Sequence, residues 1–352
     1  MKRLKKSKVL VAMSGGVDSS VAAALLKKAG FEVAGAFLKC WQADKENYCS
    51  TDEDQRIARL VANKIGIPFY TFDFTREYKE KVIDYFIKEY ARGKTPNPDI
   101  ICNQEIKFGI LLKKATALGF HFLATGHYAR VEAVKDRIKL LKGRDKNKDQ
   151  SYFLYALKTK VLKKIMFPVG GCKKDEVRKM AKVFNLPNAD KKDSQGICFV
   201  GKVKLIDFLK EYLPPKKGKI LLKDGKVIGE HQGFYYYTIG QRKGLHLSSG
   251  PYFVLKINPK NNTLIVSRDE KDLYKKELKA KRINWLNKPK LPIKVTAKIR
   301  YRHKGAKAKL YSGGRLVFEK PQMAIAPGQS VVFYKGEELL GGGIIELVAT
   351  SA

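Results

Sequence analysis

Short apolar runs alternate with segments of helical period through the first half of the chain. Val9–Met13 reads as a strand, Ser19–Ala29 as a helix, Glu32–Leu38 as a strand, Asp54–Gly66 as a helix and Pro68–Phe72 as a strand. This rhythm predicts a parallel sheet covered by helices on both faces, with ligands beyond the carboxyl ends of its strands. The pattern then changes. Lys204–Tyr212 has helical period and is stopped by Pro214 and Pro215, and Gly-punctuated short strands follow. From about Leu291 only strands and turns are expected: Val295, Ala297, Ile299 and Tyr301 alternate, Ser312–Gly314 makes a hairpin turn, and Leu316–Phe318 and Val331–Tyr334 are further strands. The expected organisation is an α/β domain over 1–205, a small central domain over 206–280 and a C-terminal antiparallel β-barrel over 281–352.

Composition adds a partner to this outline. The 352 residues carry 71 Lys and Arg against 34 Asp and Glu, a formal charge of +37 that exceeds what solubility requires and predicts a polyanion, nucleic acid first. No run of about eighteen apolar residues occurs, and the basic start passes at once into Ser14, Gly15, Gly16 and Asp18, so the expectation is a cytoplasmic protein with no membrane segment. The five cysteines include no CxxC pair, which argues against a disulfide scaffold or a zinc knuckle and leaves reduced thiols with chemistry to perform. Cys40 and Cys49 have no nearby His and Cys172 falls in a glycine turn, so these three are read as structural or incidental and no metal site is expected.

The string Val9-Leu-Val-Ala-Met-Ser-Gly-Gly-Val-Asp-Ser-Ser20 joins a strand, a glycine turn and a helix start. Amides freed at Gly15 and Gly16, the hydroxyls of Ser14 and Ser19 and the positive end of a helix converge where phosphate oxygens would lie. It is neither a Walker A loop, which needs a lysine, nor a dinucleotide fingerprint. SGGVDSS directly after an apolar strand resembles the PP-loop of ATP pyrophosphatases, which split ATP to AMP and pyrophosphate and adenylate a carbonyl oxygen. Taken alone, the loop also suits a synthetase acting on a small metabolite, and the charge also suits a non-catalytic RNA binder.

Two cysteines stand in distinctive surroundings. In Thr95-Pro-Asn-Pro-Asp-Ile-Ile-Cys102 two prolines stiffen the approach to a helix expected to start around Asn103, placing Asp99 and Cys102 near its N-terminus, where a thiolate is favoured. Cys198 lies in the apolar run of Lys192-Asp-Ser-Gln-Gly-Ile-Cys-Phe-Val-Gly201, where a small buried hydrophobe is the ordinary reading. NPDIICN, ATGHYAR at 124–130, KDQSYFLY at 148–155, DSQGICFVG and GFYYYTIGQRKGL at 233–245 together resemble the tRNA-specific 2-thiouridylase family, over nearly the whole chain.

The resemblance implies an adenine nucleotide alpha hydrolase-like PP-loop domain that uses ATP and Mg2+ to adenylate the C2 oxygen of the wobble uridine, in the anticodon stem-loop of tRNA. Sulfur then arrives from a persulfide on Cys198, supplied by a donor or relay protein, with Asp99 as acid or base and Cys102 as nucleophile, which either attacks that persulfide to release sulfide or closes a transient Cys102–Cys198 disulfide as the sulfur is delivered. It further implies ATP contacts from Ala12, Met13, Ser14, Gly15, Gly16, Val17, Asp18 and Ser19, with Leu38 and Gly126 near the adenosine. Asn97, Pro98 and Asp99 would meet the target base, and His127, Lys148, Asp149, Gln150, Arg300, Tyr301 and Gln329 would touch the RNA.

Overall fold

The computed structural model describes residues 7–40, 51–135, 137–193, 205–248 and 250–346. Cys49 and Cys198 lie outside the described residues. Strand β1 (Lys8–Ala12) is the middle of a parallel five-stranded sheet. On one side stand β2 (Glu32–Lys39) and then β3 (Phe69–Asp73); on the other, β4 (Phe122–Ala124) and, from further along the chain, Ile165–Met166. The alternation of side chains along β1 explains its continuous apolar run. Val9 and Val11 point into one core and Leu10 into the other, all three fully buried.

Helix α1 (Val17–Lys28) follows β1 and α2 (Thr51–Ile65) follows β2. The chain travels outward from β1 through β2 to β3, then returns to add β4 on the opposite side of β1. Such a reversal opens a crevice beyond the strand ends, the usual ligand position in an open α/β sheet. Ser14–Gly16, after β1, and Gly126, after β4, line it.

Between β3 and β4 come α3 (Thr75–Tyr78), a π-helical turn over Lys79–Ile83, α4 (Asp84–Ala91) and α5 (Pro98–Ile101). The last runs on as a π-helix over Cys102–Leu111 and then α6 (Leu112–Ala117). Hairpin strands β5 (Ala129–Val134) and β6 (Arg137–Lys142) follow β4.

After β7 (Ile165–Met166), α7 being the single turn Thr159–Leu162, come α8 (Lys174–Val183) and α9 (Leu205–Tyr212). The central domain is a four-stranded sheet of β8 (Gly218–Leu221), β9 (Val227–His231), β10 (Phe253–Asn258) and β11 (Thr263–Ser267). The barrel opens with the long strand β12 (Tyr274–Trp285), which spans the expected junction at 281. It continues through β13 (Ile293–Lys298), β14 (Ala306–Leu310), β15 (Arg315–Met323), β16 (Ser330–Lys335) and β17 (Glu338–Glu346). Pairing of β12 with β17 closes it.

The barrel is joined to the α/β domain by more than the chain. Strand β6 pairs with β17 through Leu140 and Leu141, extending the barrel sheet with a hairpin of the first domain. Along β16, Val331 and Phe333 enter the barrel core whereas Val332 and Tyr334 enter the large core shared with the α/β domain. Tyr152 donates to the Ser330 carbonyl at 2.9 Å, and Asn284 donates to the carbonyls of Tyr155 and Leu157 at 2.7 and 2.8 Å. The KDQSYFLY segment is thus the seam on which the barrel rests. Among the described residues no helix is long and apolar enough to cross a membrane.

Candidate active site

The glycine loop after β1 has the geometry that a phosphate cradle needs. Gly15 has φ of +71°, and a β-carbon there would lie 2.4 Å from the Asp54 carbonyl oxygen, so both conformation and space demand glycine. Asn188, buried behind the loop, donates to the Gly15 carbonyl and the Ser20 hydroxyl, each at 3.0 Å. Ser19 Oγ accepts from the Ser14 amide at 3.2 Å and donates to the Gly16 carbonyl at 3.0 Å. From the facing strand end, Gly126 comes so close that a β-carbon would sit 2.6 Å from the Ser19 nitrogen. The residues therefore fit a nucleotide polyphosphate: two strand-end glycine segments are pressed around the first turn of a helix. Ala12 ends β1 and Val17 opens α1 on either side of this loop, and Met13 and Val17 are buried. Half-buried Leu38 stands near the end of β2.

A lysine of α8 reaches the loop. Lys174 Nζ lies 2.6 Å from Asp18 and 2.8 Å from Asp193. Lys148 and Arg178 also reach Asp193, at 2.7 and 2.8 Å. Burial alone would raise the Asp193 pKa, but hydrogen bonds and charge from Lys148 and Lys174 overcome it and hold the carboxyl at about 2. Tyr128 donates to Asp18 at 2.8 Å, and its phenol is raised far above the usual range by burial and by the Asp18 charge. One charged network thus joins SGGVDSS through Asp18, KDQS through Lys148 and DSQGICFVG through its first residue, Asp193. Sequence reasoning passed over Lys174, Arg178 and Asn188, which stand in no recognised string. Tyr128 and Asp193 lie inside quoted strings without having been singled out.

Asp99 and Cys102 are set by a cap that the sequence reading misplaced. The helix begins at Pro98, not around Asn103, with Asn97 as N-cap; its Oδ1 accepts from the Asp99 amide at 3.2 Å. Proline lacks only an N–H that the first helical position leaves unpaired anyway, so Pro98 starts the helix rather than forbidding it. Cys102 consequently lies beyond the first turn, where little of the helix-terminus field persists. Its thiol is buried, 3% exposed, on the same side of the helix as Asp99, three residues earlier. Burial pushes the Asp99 carboxyl up, with the Lys107 charge opposing.

The residues expected at the RNA have varied settings. Asp149 is buried and accepts from the Gly143 amide and from the amide and hydroxyl of Ser151 at 2.7 to 3.1 Å. Gln150 Oε1 accepts from the Tyr128 amide at 3.0 Å. Gln329 Nε2 donates to the Thr95 carbonyl at 2.9 Å. Arg300 and Tyr301 are not on a strand, as their alternation suggested: β13 ends at Lys298 and both lie in the following turn. Arg300 donates to the Met323 carbonyl at 3.1 Å, and the Tyr301 ring packs on Phe153 with centroids 4.4 Å apart. A basic cleft of about 610 Å³ lies beside them, lined by Arg300, Arg302, Lys304, Lys307 and Lys320.

His127 is buried between the rings of Phe108 and Phe167, with Nδ1 2.7 Å from Thr125 Oγ1. Burial, then the Lys107 charge, hold its pKa well below 6.5. The folded imidazole stays neutral while the unfolded chain takes up a proton. Stability present above pH 6.5 is therefore lost as pH falls, by up to about 1.4 kcal/mol per pH unit for this group. Unfolding free energies of His127→Gln measured between about pH 6.5 and 5 should show an acid slope shallower by up to one proton. An unchanged slope would show that His127 is not held neutral. Burial also lowers His231 and His303, so the unsubstituted chain should lose more than one proton's worth.

Comparison with known proteins agrees with this architecture. Three family models match in succession: the tRNA methyl transferase HUP domain over 7–202, the tRNA methyl transferase PRC-barrel domain over 206–268 and the aminomethyltransferase beta-barrel domain over 275–345. The tRNA-specific 2-thiouridylase of Geobacillus kaustophilus is 47% identical across 97% of this chain and 95% of its own length. That of Stutzerimonas stutzeri is 48% identical, and that of Listeria monocytogenes 47%, with the same coverage. Agreement of this extent across all three domains makes the chain a member of the tRNA-specific 2-thiouridylase family.

Proposed function

We propose that this chain replaces the C2 oxygen of the wobble uridine of tRNA, position 34, with sulfur, consuming ATP. The observation that carries the reading is the charged network in which one lysine of α8 ties the phosphate loop to Asp193, at the head of the string that holds Cys198. It links the nucleotide site to the sulfur-bearing string, which a synthetase for a small metabolite has no reason to do. The uridine oxygen attacks the α-phosphate, pyrophosphate leaves, and the C2 oxygen becomes part of a good leaving group. Ala12–Ser19 and Gly126 hold the ATP, with Leu38 at its adenosine end. A Mg2+ ion would neutralise charge on the phosphates, and Asp18, in the first turn of α1, is the carboxylate of the loop that would help to hold it.

The terminal sulfur of a persulfide on Cys198, loaded by a donor or relay protein, then attacks C2, and AMP departs with the original oxygen. Cys102 attacks Sγ of Cys198, freeing the new thione sulfur and leaving a Cys102–Cys198 disulfide that an external dithiol reopens. In the alternative order Cys102 attacks the persulfide first and hydrosulfide is the nucleophile. Asn97, Pro98 and Asp99 face the base, with Asp99 exchanging its proton. Lys148, Arg300 and Tyr301 contact the RNA directly, and His127, Asp149, Gln150 and Gln329 fix the surface that it meets.

Incubation of the protein with tRNA, ATP, Mg2+ and a persulfide source, followed by nucleoside mass analysis, should give 2-thiouridine with one AMP and one pyrophosphate per nucleoside. The rival reading is a methyl transferase acting on the same RNA. That reading predicts a methyl-bearing nucleoside from a methyl donor without ATP. A methylated product, or no thiolated one with any tRNA, would overturn the proposal.

A further inference from the structure

Every polar group of Thr95 is held from outside its own domain. Its amide donates to the Pro327 carbonyl of the barrel at 2.9 Å, and its carbonyl accepts from Gln329 Nε2 of the barrel at 2.9 Å. Its hydroxyl lies 3.0 Å from that of Thr238 in the central domain. Gly328 presses so close that a β-carbon would lie 2.8 Å from Lys94 Cβ and 2.9 Å from the Thr95 nitrogen, and its φ of +88° is itself one that glycine tolerates best. Gly240 of the central domain meets Ala324 of the same barrel loop, where a β-carbon would be 2.6 Å from Ala324 Cβ. Three domains therefore converge on one threonine.

Both outer anchors are fixed to their own sheets. Gly328 donates to the Ile345 carbonyl at 3.0 Å, and Ile345 donates back to the Gln329 carbonyl at 2.8 Å, which seats the loop on β17. The Thr238 amide donates to Gln241 Oε1 at 3.1 Å, and Gly240 donates to the Val254 carbonyl of β10 at 2.8 Å. On the other side of Thr95, prolines at 96 and 98 flank the Asn97 cap, so the link to Asp99 and Cys102 has little torsional freedom. Movement of the outer domains at Thr95 must reach the reacting residues.

We infer that Thr95 is a positioning residue that couples the seating of the central and barrel domains, and hence of the RNA they grip, to the placement of Asp99 and Cys102. Gln329 is its barrel-side clamp. This rests on the thiolation reading above. RNA held by the outer domains is then what brings the reactive loop into register for sulfur delivery.

The test is single-turnover thiolation at saturating tRNA, with tRNA Kd measured separately. Thr95→Val keeps the shape and removes the hydroxyl, while Thr95→Ser keeps the hydroxyl. Misplacement on the scale of 1 Å costs on the order of 10- to 100-fold. Thr95→Val, Thr238→Val and Gln329→Ala should each slow the step by that order with Kd changed less than about threefold, and Thr95→Ser should stay near the unsubstituted rate. The Thr95→Val, Thr238→Val pair should be no slower than either alone, because both remove one contact. Melting temperatures show whether each variant is folded; the Thr238 and Gln329 variants carry the test should those at Thr95 unfold. A raised Kd with an unchanged rate would make Gln329 an RNA contact only and overturn the coupling. So would equal rates for Thr95→Val and Thr95→Ser. Failure of the unsubstituted enzyme to thiolate would instead remove the thiolation reading itself.

Discussion

Replacing Cys102 by serine is expected to reduce 2-thiouridine formation by at least about 10³-fold while tRNA-dependent pyrophosphate release continues. The two halves of this expectation come from different parts of the molecule. Adenylation is the work of the phosphate cradle between β1 and β4, which Cys102 does not build. Sulfur delivery needs a second thiol to take up Sγ of Cys198, and a hydroxyl at the same place cannot accept it. Serine is close to cysteine in volume, so the buried site, with Ile100 and Ile106 packed around the helix, should retain its fold. Quantifying thiolated nucleoside and pyrophosphate in the same reaction checks both halves. Full thiolation by the serine variant would remove Cys102 from the chemistry, and an equal fall in pyrophosphate would assign it to the adenylating step. Cys198→Ser should give the same split. A synthetase for a small metabolite would be indifferent to both substitutions.

What the sequence made legible follows how local each feature is. The phosphate loop is built almost entirely by chain neighbours, Ser14 to Ser20, so its wording and its structure coincide. Apolar runs and helical periods likewise gave β1, β2, β3, α1 and α2 within a few residues, since burial in a parallel sheet leaves a direct imprint on composition, but not the short strands β4 and β7. The Asp18, Lys174 and Asp193 network could not be read in this way. Lys174 is 156 residues from Asp18, and lysine is the residue of which this chain has most to spare, so nothing marked this one.

Two misreadings have physical causes. Prolines near Asp99 suggested a late helix start, but Pro98 occupies the one helical position where proline costs nothing. Apolar alternation through Ile299 and Tyr301 suggested a longer strand than β13. Ile299 serves the barrel core and Tyr301 packs against Phe153 of the α/β domain, so the pattern recorded two cores instead of one strand. For Cys198, which lies outside the described residues, the assignment still rests on the string that contains it and on the need for a second thiol.

The strongest test of the nucleotide site is a single methyl group. Gly126→Ala would place a β-carbon 2.6 Å from the Ser19 nitrogen, 2.8 Å from the Asp18 carbonyl carbon and 3.0 Å from Ser19 Cα. All three atoms are backbone, so no side-chain rotation relieves the overlap. Either the first turn of α1 moves away from β4 or the strand end moves away from the helix, and in both cases the amides that receive the phosphates lose their register. A shift of about 1 Å in positioned groups costs on the order of 10²-fold in rate, and tRNA-dependent pyrophosphate release should fall by at least that much. Gly171→Ala is the matched control: nothing lies within 4 Å of a β-carbon there, so its activity should be unchanged. Because Gly126 makes its close contact with α1 and not with the core, the loss should appear in ATP turnover at a temperature where the variant remains folded. Undiminished pyrophosphate release by Gly126→Ala would mean that the loop amides do not bind the phosphates, and the nucleotide would have to be placed elsewhere along the strand ends.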